Sequence, residues 1–520
     1  MKAKLLSPNN INISIILILI AATPIFTQIA SFSLSKSFLV VILSSWVLTL
    51  TFPILFSQRV RLVFLIAIVP LYFVYAMSYL TFDGILSIGA FSSIMDSNCT
   101  EIMGYLSEFG AGPLVMSILL TSIYIAIIFK FSYTNKKTVA LLWFIVLIGF
   151  ISLFIVIFIS PMFNTDSRIR GEFKANPMGV LSLKMDRTPI APIFKYLAYI
   201  EDESFVTSPT KLTFPDNISY GMESKYDRIY LILGESASSR HFSFYGYPYE
   251  TTPFLDSLKK HINLYTPGPA ISPAPITRES IKRIMSFATV KNPNYFVEHI
   301  NIVKAAELKG FETYWFTTHG KFGVHDSTAY KISLDAINID FNAKDDSYLP
   351  SLISAVKGNK KFIVAHLSGS HSPYVNYEKE DYDKLAKNRE NDQAIRYDAT
   401  INKTDSVIKE IIENIPINSI VIYISDHGEV VGKGHGLARP SKDQFDVPFF
   451  IYDNSGMNEI NAHHILSLSN GEAFNTQYIM DFITKLLGYD IGLNNREDPY
   501  QVYFSNGEKL DYKSLPDHYN

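Results

Sequence analysis

The chain of 520 residues has a single cysteine, Cys99, so no intrachain disulfide can form. Cysteine usage therefore assigns no redox compartment. Net charge is also scarce: 46 Lys and Arg stand against 49 Asp and Glu, leaving −3. Such a balance argues against nucleic acid as the main partner. Internal repeats and low-complexity tracts are missing, which sets aside solenoids and disordered arrays. What the chain has in abundance is long apolar runs, and they crowd into the first 160 or so residues. A more polar stretch of about 350 residues follows, long enough for a large core of its own.

A helix needs about 20 apolar residues to cross a bilayer. Five stretches meet that length: 11–31, 37–57, 62–82, 112–130 and 138–160. Lys2 and Lys4 precede the first; Arg59 and Arg61 separate the second and third; Lys130, Lys136 and Lys137 separate the fourth and fifth. The opposite side has only Lys36 in its first loop. Its second loop, 83–111, has no Lys or Arg and holds Asp83, Asp96, Glu101 and Glu108. The excess of basic residues marks the cytoplasmic side. The N-terminus is thus expected in the cytoplasm, and five crossings put the C-terminal domain outside it. Residues 163–205 mix basic and apolar side chains, including Arg168, Arg170, Lys174, Lys184 and Arg187. That pattern fits a segment lying along the membrane surface and fits an ordinary linker as well. The expected divisions are 1–162 for the helical membrane domain, 163–205 for the linker and 206–520 for the catalytic domain.

In the polar half, apolar runs recur at strand length: 229–233, 313–317, 362–367 and 419–424. Helical-period stretches such as 299–309 and 397–414 lie between them. Continuous Val, Ile and Leu strands alternating with helices predict an α/β domain with a largely parallel sheet covered on both faces. Ligands bind such sheets beyond the carboxyl ends of the strands. The first of these strands leads to Glu235, the third to His371 and the fourth to Asp426 and His427. Mixed carboxylate and imidazole donors suit zinc or manganese better than calcium. Taken singly, an Asp or His at a strand end is a cap or a satisfied polar group; several at three strand ends point to a metal. His435 lies in a GKGHG loop (432–436) able to fold back over the site, although alone it also reads as a surface histidine. His241, His261, His319 and His366 gain no such support, and His325, His463, His464 and His518 read as surface or loop residues. Thr277 opens an apparent helix, TRESIKRIMSFAT, where backbone N–H groups and the dipole would favour a phosphate. A helix cap is the other reading of Thr277.

Four segments together, in this order, resemble the phosphoethanolamine transferases of Gram-negative inner membranes, within the alkaline phosphatase and sulfatase superfamily. They are LILGESASSRHFSFYGYPYETTPFL (231–255), APITRESIKRIMSF (274–287), HLSGSHSPY (366–374) and SDHGEVVGKGHG (425–436). The resemblance covers nearly the whole chain. It implies an inner-membrane enzyme with five transmembrane helices and a periplasmic sulfatase-like domain. It implies zinc held by Glu235, Thr277, Asp426 and His427. It makes Thr277 the residue that attacks phosphate and carries phosphoethanolamine, with His371 and His435 near the transferred group or a second metal. DSNCTE (96–101) looks like the family's ETNxxE pattern, so Glu101 is the expected contact for the donor's ammonium. Asp96 and Ser97 depart from that pattern. The implied donor is phosphatidylethanolamine, and the acceptor is lipopolysaccharide core, lipid A or another periplasmic glycan. Lipid A-modifying members usually carry several disulfides, which this chain cannot make, and that favours core or glycan acceptors. A sulfatase of this superfamily needs Cys or Ser in a [CS]-x-P-x-R context, and SPAPITR around Thr277 does not supply it. A phosphoglycerol transferase would share the fold and the metal site. A non-catalytic scaffold would have had no need to keep Glu235, Thr277, Asp426 and His427 together.

Overall fold

The computed structural model describes residues 56–81, 91, 111–130, 136–155, 159, 177–185, 188, 190–206, 210–211 and 213–519, except 320–326, 342, 438, 493–497 and 505–507. Described residues up to 202 form one compact unit and those from 203 onward another.

In the first unit, helices α1 (Gln58–Thr81), α2 (Ala111–Lys130) and α3 (Lys136–Phe154) occupy three of the five expected apolar stretches. The other two, 11–31 and 37–57, lie outside the described residues apart from 56 and 57. Among the described residues, one helix, over Arg59–Ser78, is long and apolar enough to cross a membrane, and Gly112–Ala126 is a shorter apolar stretch. α1 packs on α2 through stacked Tyr72 and Tyr124 rings, 4.4 Å between centroids. Arg61 ties the two helices at one end by donating from Nη1 to the Ile128 carbonyl at 3.0 Å. Two shorter helices follow, α4 (Pro177–Met185) within 163–205 and α5 (Ala191–Val206), which ends one residue beyond it.

The second unit is built on a seven-stranded sheet. Its strands are β1 (Arg228–Gly234), β2 (Leu264–Tyr265), β3 (Glu312–Thr317), β4 (Asn338–Asp340), β5 (Lys361–His366), β6 (Ser419–Ser425) and β7 (Phe449–Asp453). Across the sheet they run β2-β7-β6-β1-β5-β3-β4. β6, β1, β5, β3 and β4 pair in parallel, and β7 is antiparallel to both β6 and β2.

The central strands are buried along their whole length, as their unbroken apolar sequences require. Alternate side chains feed two cores, because successive residues of a strand point to opposite faces. Ile229, Leu231 and Leu233 join one core with Ile281 and Ile284 of helix α6 (Thr277–Ile284). Tyr230 and Ile232 join the other with Ile401, Ile408 and Ile411 of helix α7 (Asp392–Asn414).

Register aligns the strand ends. Leu233 lies opposite His366 on β5 and Ile424 on β6; Gly234 lies opposite Ser425, and Thr317 of β3 opposite His366. The residues that follow these strands therefore emerge along one edge, with Glu235 in the middle, Asp426 and His427 on one side and His366 and His319 on the other. Parallel order and register together, not sequence proximity, create this edge.

Candidate active site

Glu235 leaves β1 into a turn held from two directions. Ser236 sits in the left-handed region, φ 55°, a conformation of real cost for a residue with a Cβ. Its N–H donates to Asp426 Oδ1 at 2.9 Å and its hydroxyl to Glu235 Oε1 at 2.8 Å. The Tyr397 hydroxyl of α7 accepts from Ser238 N at 2.7 Å and donates to the Ser236 carbonyl at 2.8 Å. Burial pushes the Tyr397 hydroxyl far above its ordinary range, so it stays protonated and can make both bonds.

Asp426 and His427 leave β6 next to this turn, both fully buried. Asp426 Oδ1 accepts from the Ser236 and His427 backbone N–H groups, the latter at 2.7 Å. Oδ2, buried as well, accepts no hydrogen bond among the described residues and lies 3.2 Å from His427 Nε2. His427 Nδ1 lies 2.8 Å from the Gly428 carbonyl, which can only accept; Nδ1 therefore carries the proton and Nε2 the lone pair. Burial lowers the His427 pKa to about 4 despite the Asp426 carboxylate, keeping the ring neutral at pH 7.

Thr277 is the first residue of α6. The cap position belongs to Ile276, which makes no side-chain cap bond, so the capping reading of Thr277 is overturned. Its hydroxyl instead lies 3.3 and 3.4 Å from the two Glu235 oxygens and 3.2 Å from His427 Nε2. The helix also stops at Ile284 rather than running through TRESIKRIMSFAT, because Ser286 bridges to Asn301 and Ile302 N–H takes the Met285 carbonyl. α6 is braced by Glu279 beside Lys282 and Arg283, 2.8 and 2.6 Å away. Burial works to raise the Glu279 carboxyl, but the two cations prevail and hold it at about 2.

Thr277, Glu235, Asp426 and His427 thus converge: one hydroxyl, two carboxylates and one imidazole lone pair. The buried, unbonded Asp426 oxygen and the fixed His427 tautomer are what a cation-binding set needs. Glu235, Asp426 and His427 place ligand atoms within 4.8 Å of one another.

His435 is buried, so its reading as a surface residue is overturned. Its Nδ1 lies 2.9 Å from Glu429 Oε2, while Tyr374 OH donates to Oε1 at 2.7 Å. Burial alone would lower the His435 pKa, but the Glu429 charge outweighs it and raises it. The His435 ring lies 4.2 Å from that of His427 and 5.9 Å from that of His371. His371, half-buried, follows β5 in a loop held by Asp346, which accepts from Ser368 and Gly369 N–H at 2.8 and 2.9 Å. Glu101 lies outside the described residues.

Two histidines set aside in the sequence reach the same edge. His366 ends β5 and His319 lies two residues past β3, their rings stacked 4.2 Å apart. The rule that selected Glu235 and Asp426, side chains at the carboxyl ends of parallel strands, applies to both.

The sulfatase family profile matches residues 228–489, half of the chain. The chain belongs to the sulfatase family. The profile spans the sheet and every side chain placed above at the site, from Glu235 to His435. This sulfatase-family chain is 27% identical over 388 residues to a putative transferase, YhbX, of Escherichia coli strain K12, covering 72% of this chain and 69% of that one. It is 25% identical over 397 residues to the phosphoethanolamine transferase EptA of Helicobacter pylori, covering 71% of each. The resemblance to phosphoethanolamine transferases read from the motifs is therefore borne out. The solved integral membrane protein lipooligosaccharide phosphoethanolamine transferase A of Neisseria meningitidis matches with a TM-score of 0.63 and 16% identity over 93% of this chain and 95% of that one. At that identity the match speaks for the fold, helical part and sulfatase-like domain in succession. Fold does not fix chemistry; the site must.

Proposed function

We propose that this sulfatase-family protein transfers phosphoethanolamine from phosphatidylethanolamine to lipopolysaccharide core, lipid A or another periplasmic glycan, through a covalent intermediate on Thr277. One observation carries the reading: the hydroxyl that opens α6 faces two carboxylate oxygens and an imidazole lone pair, within 3.4 Å of each. Relatives named phosphoethanolamine transferases support the same chemistry. Glu235, Thr277, Asp426 and His427 would hold zinc, which lowers the pKa of a bound hydroxyl and neutralises phosphate charge.

Thr277 Oγ1 attacks phosphorus, and the bond from phosphorus to the diacylglycerol oxygen breaks. Glu235, at 3.3 Å, is the nearest carboxylate to take the Oγ1 proton. His435, its Nδ1 proton held by Glu429, and His371 beside it would hold the phosphoryl oxygens and return a proton to the departing oxygen. A glycan hydroxyl then attacks the phosphothreonine phosphorus and gives its proton to His435, the bond from phosphorus to Oγ1 breaks, and Thr277 recovers its proton from Glu235. One site so serves donor and acceptor in turn.

Residues 1–162 would be five transmembrane helices in the bacterial inner membrane, 163–205 the membrane-surface linker and 206–520 the periplasmic catalytic domain. Glu101, in a loop of four acids and no bases, would meet the donor's ammonium. The test supplies phosphatidylethanolamine and phosphatidylglycerol separately to the detergent-purified protein. Transfer from phosphatidylethanolamine, weakened in Glu101→Gln, is expected. A preference for phosphatidylglycerol would make the protein a phosphoglycerol transferase instead.

A further inference from the structure

We propose that Glu235, His319 and His366 form a second site for a zinc-class divalent cation, with the Glu235 carboxylate shared between this ion and the one at Thr277. The argument starts from the sheet. β1 lies between β6 and β5, so the residue after β1 can reach toward both neighbours. On the β6 side Glu235 meets Asp426 and His427. On the other side it meets His366, the last residue of β5, and His319, just beyond β3.

One nitrogen from each of these two rings and one Glu235 oxygen lie within 4.8 Å of one another. Three donors from three separate strands meet at that spacing. His319 Nε2 lies 2.9 Å from the Leu367 carbonyl. A carbonyl only accepts, so this nitrogen holds the proton and the other keeps the lone pair, the second-layer bond that orients metal-bound imidazoles elsewhere. His366 is fully buried, packed edge-on to Trp315 with 6.1 Å between ring centroids, which fixes its ring. Two imidazoles and one carboxylate are a zinc-type donor set and a poor one for magnesium or calcium, which prefer oxygen.

Sharing one carboxylate sets the spacing. Two-metal phosphotransfer sites hold their ions about 3.5–4 Å apart, the reach of a bridging carboxylate. An ion held by His319 and His366 would fix Glu235 from the side opposite Asp426 and add positive charge beside the transferred phosphate. The His435 ring lies 4.2 Å from that of His427 and the His371 ring 5.9 Å from that of His435, and neither belongs to the group of Glu235, His319 and His366.

The inference rests on the proposed function only in that Glu235 also serves the ion at Thr277. The test is metal content of the full-length protein, purified, saturated with zinc and freed of excess, measured by mass spectrometry. Wild type should hold about two equivalents per chain. His319→Ala and His366→Ala should each hold about one, while the double variant His371→Ala/His435→Ala keeps both. His319→Asn, which retains a polar side chain at a half-buried position, guards against misfolding in the buried His366 variant, and thermal melting checks each. Unchanged metal content in His319→Ala and His319→Asn would overturn the site, as would loss of the second equivalent from the His371/His435 variant alone. A phosphoethanolamine adduct on Thr277 together with one metal per chain would refute this inference and leave the transferase reading standing. Two metals without an adduct would do the reverse.

Discussion

At the scale of single residues, backbone carbonyls and carboxylates decide what each imidazole can do. The Gly428 carbonyl gives His427 its tautomer, and the Glu429 carboxylate gives His435 a proton on Nδ1. Glu429 should therefore matter through His435. Glu429→Gln keeps the hydrogen bond from Tyr374 but removes the charge that raises His435. Transfer should fall by about 10–100-fold, the usual loss when such a supporting carboxylate goes, with the metal at Thr277 retained. A rate assay beside elemental analysis checks both halves; full activity would show His435 idle. Asp426→Ala removes a buried ligand oxygen that accepts no hydrogen bond among the described residues, so it should release that metal instead. The residue types at the site were legible in the sequence, because Glu235, Asp426 and His427 directly follow apolar runs. The direction of the Thr277 side chain was not. A threonine at a helix start caps or points away according to the strands beside it, and those arrive from more than 40 and 140 residues distant.

At the scale of elements, the loop after β5 must pass very close to the turn after β1. Gly369 sits at φ 50°, and a Cβ there would meet the Glu235 carbonyl oxygen at 2.7 Å and its nitrogen at 2.9 Å. Gly369→Ala should cost about 1–3 kcal/mol from overpacking and left-handed backbone strain. Because the clash falls on the Glu235 backbone, it should also lower metal content, which a thermal melt paired with elemental analysis would show. A variant with unchanged melting and metal would mean the two segments are not in contact. The four long strands were readable within a residue or so, since buried parallel strands must be apolar throughout. α7 begins five residues before the expected 397, because Asn391 caps it by accepting from Ala394 N–H at 3.2 Å. The early end of α6 was hidden, since a long-range bridge to Asn301 overrides a pattern that reads as helix. His319 and His366 were passed over because each looks isolated until β3 and β5 are known to be neighbours.

At the scale of the whole molecule, the proposed chemistry requires the sulfatase-like domain on the side where glycan acceptors are found. Lysine and arginine between the apolar stretches fall on one side of them except Lys36, so a reporter fused after Asn520 should be active only in the periplasm. Activity only in the cytoplasm would break the count of five crossings. That count comes from run length and charge, which sequence displays directly; the meeting of Glu235, Thr277 and His427 comes from strand order, which sequence does not. The central claim is that Thr277 carries the transferred group. Incubating the purified protein with phosphatidylethanolamine, without acceptor, and mapping its peptides by mass spectrometry tests it most directly. One phosphoethanolamine on the peptide holding Thr277, lost in Thr277→Ala, is the predicted result; an adduct on Ser236 or Ser272, or an unmodified chain that still transfers, would contradict it.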